Sequence, residues 1–227
     1  MQNFNIELKS EPSKSYRVAR IMADFDVKAE HCKEIIKGHI DVDISDDWNI
    51  GVIVGPSGTG KTTIAKKLFP EILFRDFCYE SKSVVDDMPE KCTVDEITKM
   101  FYAVGFGSVP SWLKPYSVLS NGEKMRVDLA NALLRSNQIA FDEFTSVVDR
   151  NVAKTCCIAV EKAIRRKNKK FVAISCHYDI LEYLKPDWVF DTAKMQFFFG
   201  TSLVRKENSK SENVEEANGK NLGDIII

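Results

Sequence analysis

The chain has 227 residues, enough for one sizeable domain, or one domain and a tail, with a hydrophobic core of its own. Apolar residues make up 44% and charged residues 29%, and 32 basic against 33 acidic side chains leave a net charge of -1. That balance excludes a surface that grips nucleic acid over its whole extent, though a local basic patch stays open. No stretch approaches the roughly 18 apolar residues of a membrane-spanning helix. The opening residues lack a basic start followed by an apolar run, so no signal peptide is expected. Six cysteines, at 32, 78, 92, 156, 157 and 176, include no Cys-x-x-Cys pair and read as reduced, mostly buried thiols of a cytoplasmic protein.

In chain order, residues 1–15 are polar, hold Pro12, and read as a loosely ordered start. Tyr16, Val18 and Ile21 suit a strand that runs into a turn by Val27. Ile40, Val42 and Ile44 alternate with polar residues, as in a half-buried strand, and Asp46-Asp47 marks a turn before the buried strand Ile50–Val54. A glycine-rich loop follows, then a helix with Ile64, Ala65 and Leu68 on one face, stopped by Pro70. Thr93-Val-Asp-Glu96 predicts a capping box that opens a helix to about Val104, and Gly105–Pro110 a loop. A second helix is expected from near Asn121 to Leu134, then a short strand Gln138–Phe141 and a helix over 150–166 whose basic end suits its carboxyl terminus. Phe171–Ser175 reads as a buried strand, Leu181–Leu184 as a short helix, and Trp188–Phe190 and Gln196–Phe199 as the last strands. Residues 205–224 are charged and nearly free of large apolar groups, which predicts a flexible tail. Strands alternating with helices predict an α/β core with a mostly parallel sheet.

Gly55-Pro56-Ser57-Gly58-Thr59-Gly60-Lys61-Thr62 fits a phosphate loop at every fixed position, between a predicted strand and a predicted helix. Its glycines let backbone N–H groups curl around phosphate oxygens, and the next helix offers its positive end. Lys61 is expected to reach the β- and γ-phosphates, with Thr62 on Mg²⁺ and Thr63 beside it. Asp142 and Glu143 sit just past a buried strand, at the edge where open α/β sheets bind ligands. Asp142 would hold Mg²⁺, and Glu143 would polarise the attacking water. The plainer alternatives are a glycine-rich turn and a solvated acidic turn.

These residues, with Leu119-Ser120-Asn121-Gly122-Glu123, Ser146-Val-Val-Asp149 and His177, resemble the ABC-type ATPases in the family's own order of phosphate loop, signature, acidic strand, D-loop and switch histidine. The resemblance spans about 55–177. It implies a P-loop NTPase of ABC type, with an antiparallel β part at the amino end, a helical subdomain over about 75–135 and an ATPase domain over 16–204. It also implies ATP and Mg²⁺ as cofactors, with the nucleotide held between two head-to-tail subunits. Lys61, Glu143 and His177 would then be catalytic, Ser120 and Gly122 would contact the γ-phosphate across the interface, and Asp149 would link the two sites. Ser120 could equally be a plain helix cap, and His177 a structural residue. The family stacks adenine on an aromatic upstream of the phosphate loop; Phe25 is preferred over Tyr16, with a structural aromatic as the alternative.

The sequence departs from the family at three points. No Gln lies between Lys61 and Ser120, so the usual glutamine is missing, and Asp86 or Asp87 is the expected substitute unless both are surface acids. Only 59 positions separate Lys61 from Ser120, so the helical subdomain is short and a soluble partner is favoured over a membrane one. The signature carries Asn121 and Glu123 in place of Gly and Gln. The expected function is ATP hydrolysis by a homodimer, or a heterodimer with another ABC subunit, that drives a conformational switch in a soluble partner system. By similarity to compact members of the family, the partner would be acetyltransferase-like or nucleic-acid-modifying. A transporter's ATPase subunit and a non-hydrolysing ATP-dependent clamp are the alternatives.

Overall fold

The computed structural model describes residues 2–9, 13–27, 33–43, 45–74 and 76–200, which divide between two units, residues 1–46 and 47–227. In the first unit, strand β1 (Gln2–Lys9) pairs antiparallel with β2 (Lys33–Ile40), in a register that runs from Gln2 opposite Ile40 to Lys9 opposite Lys33. Phe4, Ile36 and Ile40 are buried. The expected loose start at 1–15 is therefore largely a strand, and the expected domain boundary at 15/16 falls inside this unit.

The strand expected over Tyr16–Val27 is instead helix α1 (Tyr16–Asp24). Val18, Ile21, Met22 and Phe25 recur at spacings of three and four, which is helical, and the Ser15 side chain accepts from Val18 N to cap it. The strand expected through Ile44 stops at Ile40. Asp43 and Asp46 divert the backbone there: Asp46 Oδ2 accepts from Asp43 N at 2.6 Å, and Asp46 N donates to Asp43 O at 3.1 Å. Ile44 lies outside the described residues.

The second unit is built on a five-stranded sheet in the order β4-β5-β3-β6-β7. Its strands are β3 (Ile50–Val54), β4 (Gln138–Phe141), β5 (Lys170–Ser175), β6 (Trp188–Asp191) and β7 (Gln196–Phe199); only β7 runs antiparallel. Every residue of β3 and β6 is buried, as expected of central parallel strands covered on both faces. Leu73 adds a parallel bridge to Ala140 on the outer side of β4.

Helices α2 (Lys61–Leu68), α3 (Val94–Ala103), α4 (Val109–Trp112), α5 (Asn121–Arg135), α6 (Arg150–Arg166) and α7 (Ile180–Leu184) complete this unit. The capping box read at Thr93 is present, with Thr93 N donating to Glu96 Oε2 at 2.8 Å and Glu96 N donating to Thr93 Oγ1 at 3.3 Å. Phe101, Phe106 and Trp112 pack together between α3 and α4, and Trp112 Nε1 donates to Phe106 O at 2.9 Å. Of the described cysteines, Cys156 and Cys157 are buried and Cys78 is exposed. Burial pushes the Cys156 thiol up to about 12 and raises Cys157 as well, so neither is a ready nucleophile. Cys32 and the tail at 205–227 lie outside the described residues.

Candidate nucleotide-binding site

β3, β4 and β5 are parallel, so the loops that follow them leave one edge of the sheet. Val54 is level with Ser175, and Phe141 with Ala173, so the phosphate loop, the acidic pair and the His177 loop begin at nearly the same height. β5 lies between the other two, which sets the phosphate loop and the acidic pair roughly 10 Å apart in strand spacing.

In the phosphate loop, Gly58 and Gly60 take left-handed backbone angles (φ 82 and 81), which turn successive N–H groups the same way. No atom lies within 4 Å of where a Gly58 Cβ would stand, so that side of the loop is open. Lys61 begins α2 and is only 7% exposed; its Nζ donates to Pro56 O at 2.8 Å. A buried ammonium whose hydrogen-bond partner is one loop carbonyl suits an anion better than it suits its present surroundings. Thr59 Oγ1 donates to the same carbonyl at 2.9 Å and braces the turn. Thr62 and Thr63, in the first turn of α2, are half-buried, and Pro56 and Ser57 are exposed.

Asp142 is half-buried, and its Oδ1 accepts from Glu143 N at 3.0 Å. Neither carboxylate of the pair has an ion-pair partner among the described residues. Glu143 and Thr145 have φ of 52 and 64, left-handed values that cost a non-glycine residue energy, and Phe144 N then returns to β5 by donating to Ile174 O at 2.9 Å. Strained backbone of this kind gathers at functional sites. Asp142 and Thr62 are oxygen donors of the type Mg²⁺ takes, so the donor set fits that ion, and the open loop beside Lys61 fits a phosphate chain.

His177 is half-buried, and its backbone N donates to Ser175 Oγ at 3.2 Å. Arg150, just after the D-loop, makes a two-pronged contact with Asp179, two residues after His177, at 2.9 and 2.5 Å. The D-loop and the histidine loop are thus tied within one chain. Asp149 caps α6: its Oδ1 accepts from Asn151 N and Val152 N. Ser120 caps α5 in a second capping box with Glu123. A Cβ on Gly122 would come to 2.8 Å from Val148 Cγ1, so the signature turn packs directly on the D-loop.

A cleft of about 520 Å³ lies between α5 and the acidic pair, lined by Asn121, Lys124 and Asp128 from α5 together with Asp142, Glu143 and Asp76; neither the phosphate loop nor His177 is on its lining. Tyr116 Oη donates to Asp128 Oδ2 at 2.7 Å, and the Tyr116 and Tyr79 rings stack with centroids 4.1 Å apart. Burial raises the Asp128 carboxyl and both phenols. Asp86 and Asp87, the expected substitutes for the missing glutamine, are elsewhere. Asp87 Oδ1 accepts from Glu80 N and Ser81 N, Asp86 takes the Ser83 hydroxyl, and both line a separate hollow with Arg135. Asp76 reaches the cleft because Leu73 pairs with Ala140, which sets residue 76 level with Glu143. No local pattern marks Asp76; only strand register finds it. Phe25 ends α1 in the first unit and is 74% exposed.

Solved structures with this architecture are ABC cassettes. A bacterial ABC transporter cassette solved as a dimer matches at 13% identity with a TM-score of 0.53, over 70% of this chain and 87% of that one. The same cassette in a post-hydrolysis dimer bound to ADP and Pi matches at 13% identity and a TM-score of 0.54, with the same coverage. A bacterial ABC exporter with ATP bound matches at 17% and 0.52, over 70% of this chain and 35% of that longer one. No family model matches the chain, and no curated protein matches its sequence. At these identities the likeness is one of fold: the chain has the α/β fold of an ABC-type nucleotide-binding domain. Among the described residues, no helix is long and apolar enough to cross a membrane.

Proposed function

We propose that this chain binds ATP with Mg²⁺ in the phosphate loop and hydrolyses it in a head-to-tail pair of subunits. The observation that carries this is the buried Lys61 ammonium beside an open, left-handed glycine loop, on the same sheet edge as Asp142–Glu143. Lys61 and the loop N–H groups hold the phosphates. Thr62 and Asp142 hold Mg²⁺, which when bound neutralises charge on the phosphate oxygens. Glu143 takes the proton of the attacking water, and His177 steadies the γ-phosphate. Ser120 and Gly122 offer a hydroxyl and backbone N–H groups to the nucleotide of the facing subunit, and Asp149 links the two sites.

In this reading residues 205–227 form a tail, and closure of the pair moves a soluble partner, acetyltransferase-like or nucleic-acid-modifying, in the cytoplasm. The short span from Lys61 to Ser120 favours that partner. A transporter subunit fits the fold equally and would be told apart by recruitment to membranes that carry its channel.

The test is light scattering on size-separated Glu143→Gln protein with and without Mg-ATP. Retained ATP should drive monomer to dimer, while turnover falls by about 10²–10⁴. Normal turnover would remove Glu143 from the role of base, and a monomer in saturating ATP would remove the homotypic pair.

A further inference from the structure

β5 and β6 flank β3, the strand that leads into the phosphate loop, and are not neighbours in the sheet. A side-chain bond nevertheless joins the segments that end them. Tyr178 Oη, one residue after His177, donates to Asp191 Oδ1 at 3.0 Å. Asp191 is the last residue of β6, paired in register with Val54, and its side chain is fully buried. The same oxygen accepts from the backbone N of Ala193 at 2.9 Å and of Lys194 at 3.2 Å, which fixes the turn that follows. Lys194 Nζ lies 3.5 Å from the other oxygen.

The next residue, Thr192, grips the phosphate loop. Its backbone N donates to Val54 O at 2.8 Å, its Oγ1 donates to the same carbonyl at 3.2 Å, and Oγ1 lies 2.5 Å from Thr59 Oγ1. A Cβ on Gly55 would come to 2.1 Å from that hydroxyl, so the loop's first residue must be glycine for Thr192 to sit there. A path therefore runs from the histidine loop through the Tyr178–Asp191 hydrogen bond, along the peptide link from Asp191 to Thr192, and across the close approach of the Thr192 and Thr59 hydroxyls. Along such a path the loss of one partner leaves the others unpaired or displaced.

We propose that Tyr178, Asp191 and Thr192 form a strap that couples the geometry of the phosphate loop to the position of His177, so that loading the loop and setting the histidine are one event. The proposal rests on the reading of the phosphate loop as a nucleotide site. All three are positioning residues: they act through Thr59, Gly55 and the backbone beside His177.

A double-mutant cycle on the full chain tests it, with binding of a fluorescent ATP analogue in Mg²⁺ as readout and Lys61→Ala as control. Thr192→Val removes the hydroxyl that holds Thr59 and should weaken binding about tenfold. Tyr178→Phe removes only a hydroxyl on the other loop and should still weaken binding about threefold. The double variant should bind no worse than about tenfold below wild type, because the strap breaks once. Independent effects that multiply to about thirtyfold would overturn the strap, as would unchanged affinity in Tyr178→Phe. Thr192→Ser keeps the hydroxyl and should bind within about twofold of wild type; if it binds as poorly as Thr192→Val, the hydroxyl is not the link. Melting without nucleotide, recorded for each variant, separates lost coupling from lost folding. A wild type that binds no better than Lys61→Ala would instead sink the nucleotide-site reading, and the strap with it.

Discussion

Ser120 Oγ accepts from Glu123 N at 3.3 Å, and Glu123 Oε2 accepts from Ser120 N at 3.0 Å, so the residue proposed to touch a partner's nucleotide also starts α5. Ser120→Ala should cost about 1 kcal/mol, seen as a melting shift of roughly 2–4 °C. The Ser111 side chain first, then the Ser120 backbone, hold the Glu123 carboxyl below its usual range. A lowered folded pKa gives stability that is present above the ordinary value of about 4.3 and lost as pH falls through the lowered one. The stability lost in Glu123→Gln should therefore shrink in melts run below about pH 4. A loss constant with pH would mean the Glu123 charge contributes nothing to the cap. Residues like these were legible because cap and box lie within four positions of sequence. Asp76 was not, because its place beside Glu143 depends on a strand pairing between residues 67 positions apart.

At the scale of elements, α5 and the D-loop meet at Gly122 and Val148. Alanine is the better helix former by about 1 kcal/mol, yet Gly122→Ala should lower the melting temperature, because its Cβ overlaps a β-branched side chain with few rotamers to escape into. Gly122→Ala with Val148→Ala should recover part of that loss. A stabilised single variant would mean the two elements separate easily. The elements themselves were read well where one signal dominated: apolar runs for β3 and β5, a box for α3, a basic end for α6. α1 was misread because Tyr16, Val18 and Ile21 satisfy a loose alternation, while the longer set Val18, Ile21, Met22, Phe25 satisfies only a helix.

At the scale of the whole molecule, the sheet order puts the phosphate loop between the two strands whose following loops would steady it, as open α/β sheets do at their carboxyl edge. A ligand that binds only the folded chain stabilises it by about 2.7 kcal/mol at a hundred times its Kd. Saturating Mg-ATP should raise the melting temperature of wild type by roughly 5–10 °C and leave Lys61→Ala unmoved. Equal shifts in both would place the nucleotide elsewhere. The α/β class and the parallel core were legible from the alternation of strands and helices, whereas the order of motifs came from the resemblance to ABC-type ATPases. The strand at the amino end was not, since its partner lies about 30 residues away and nothing local marks the pairing.

Glu143 and Thr145 hold left-handed backbone that glycine would hold at less cost. Conformational ease and chemistry therefore compete for the same position. Glu143→Gly should raise the melting temperature by roughly 2–4 °C, for relief of about 1 kcal/mol, while ending turnover. A population of variants selected only for heat resistance would drift toward discarding this carboxylate.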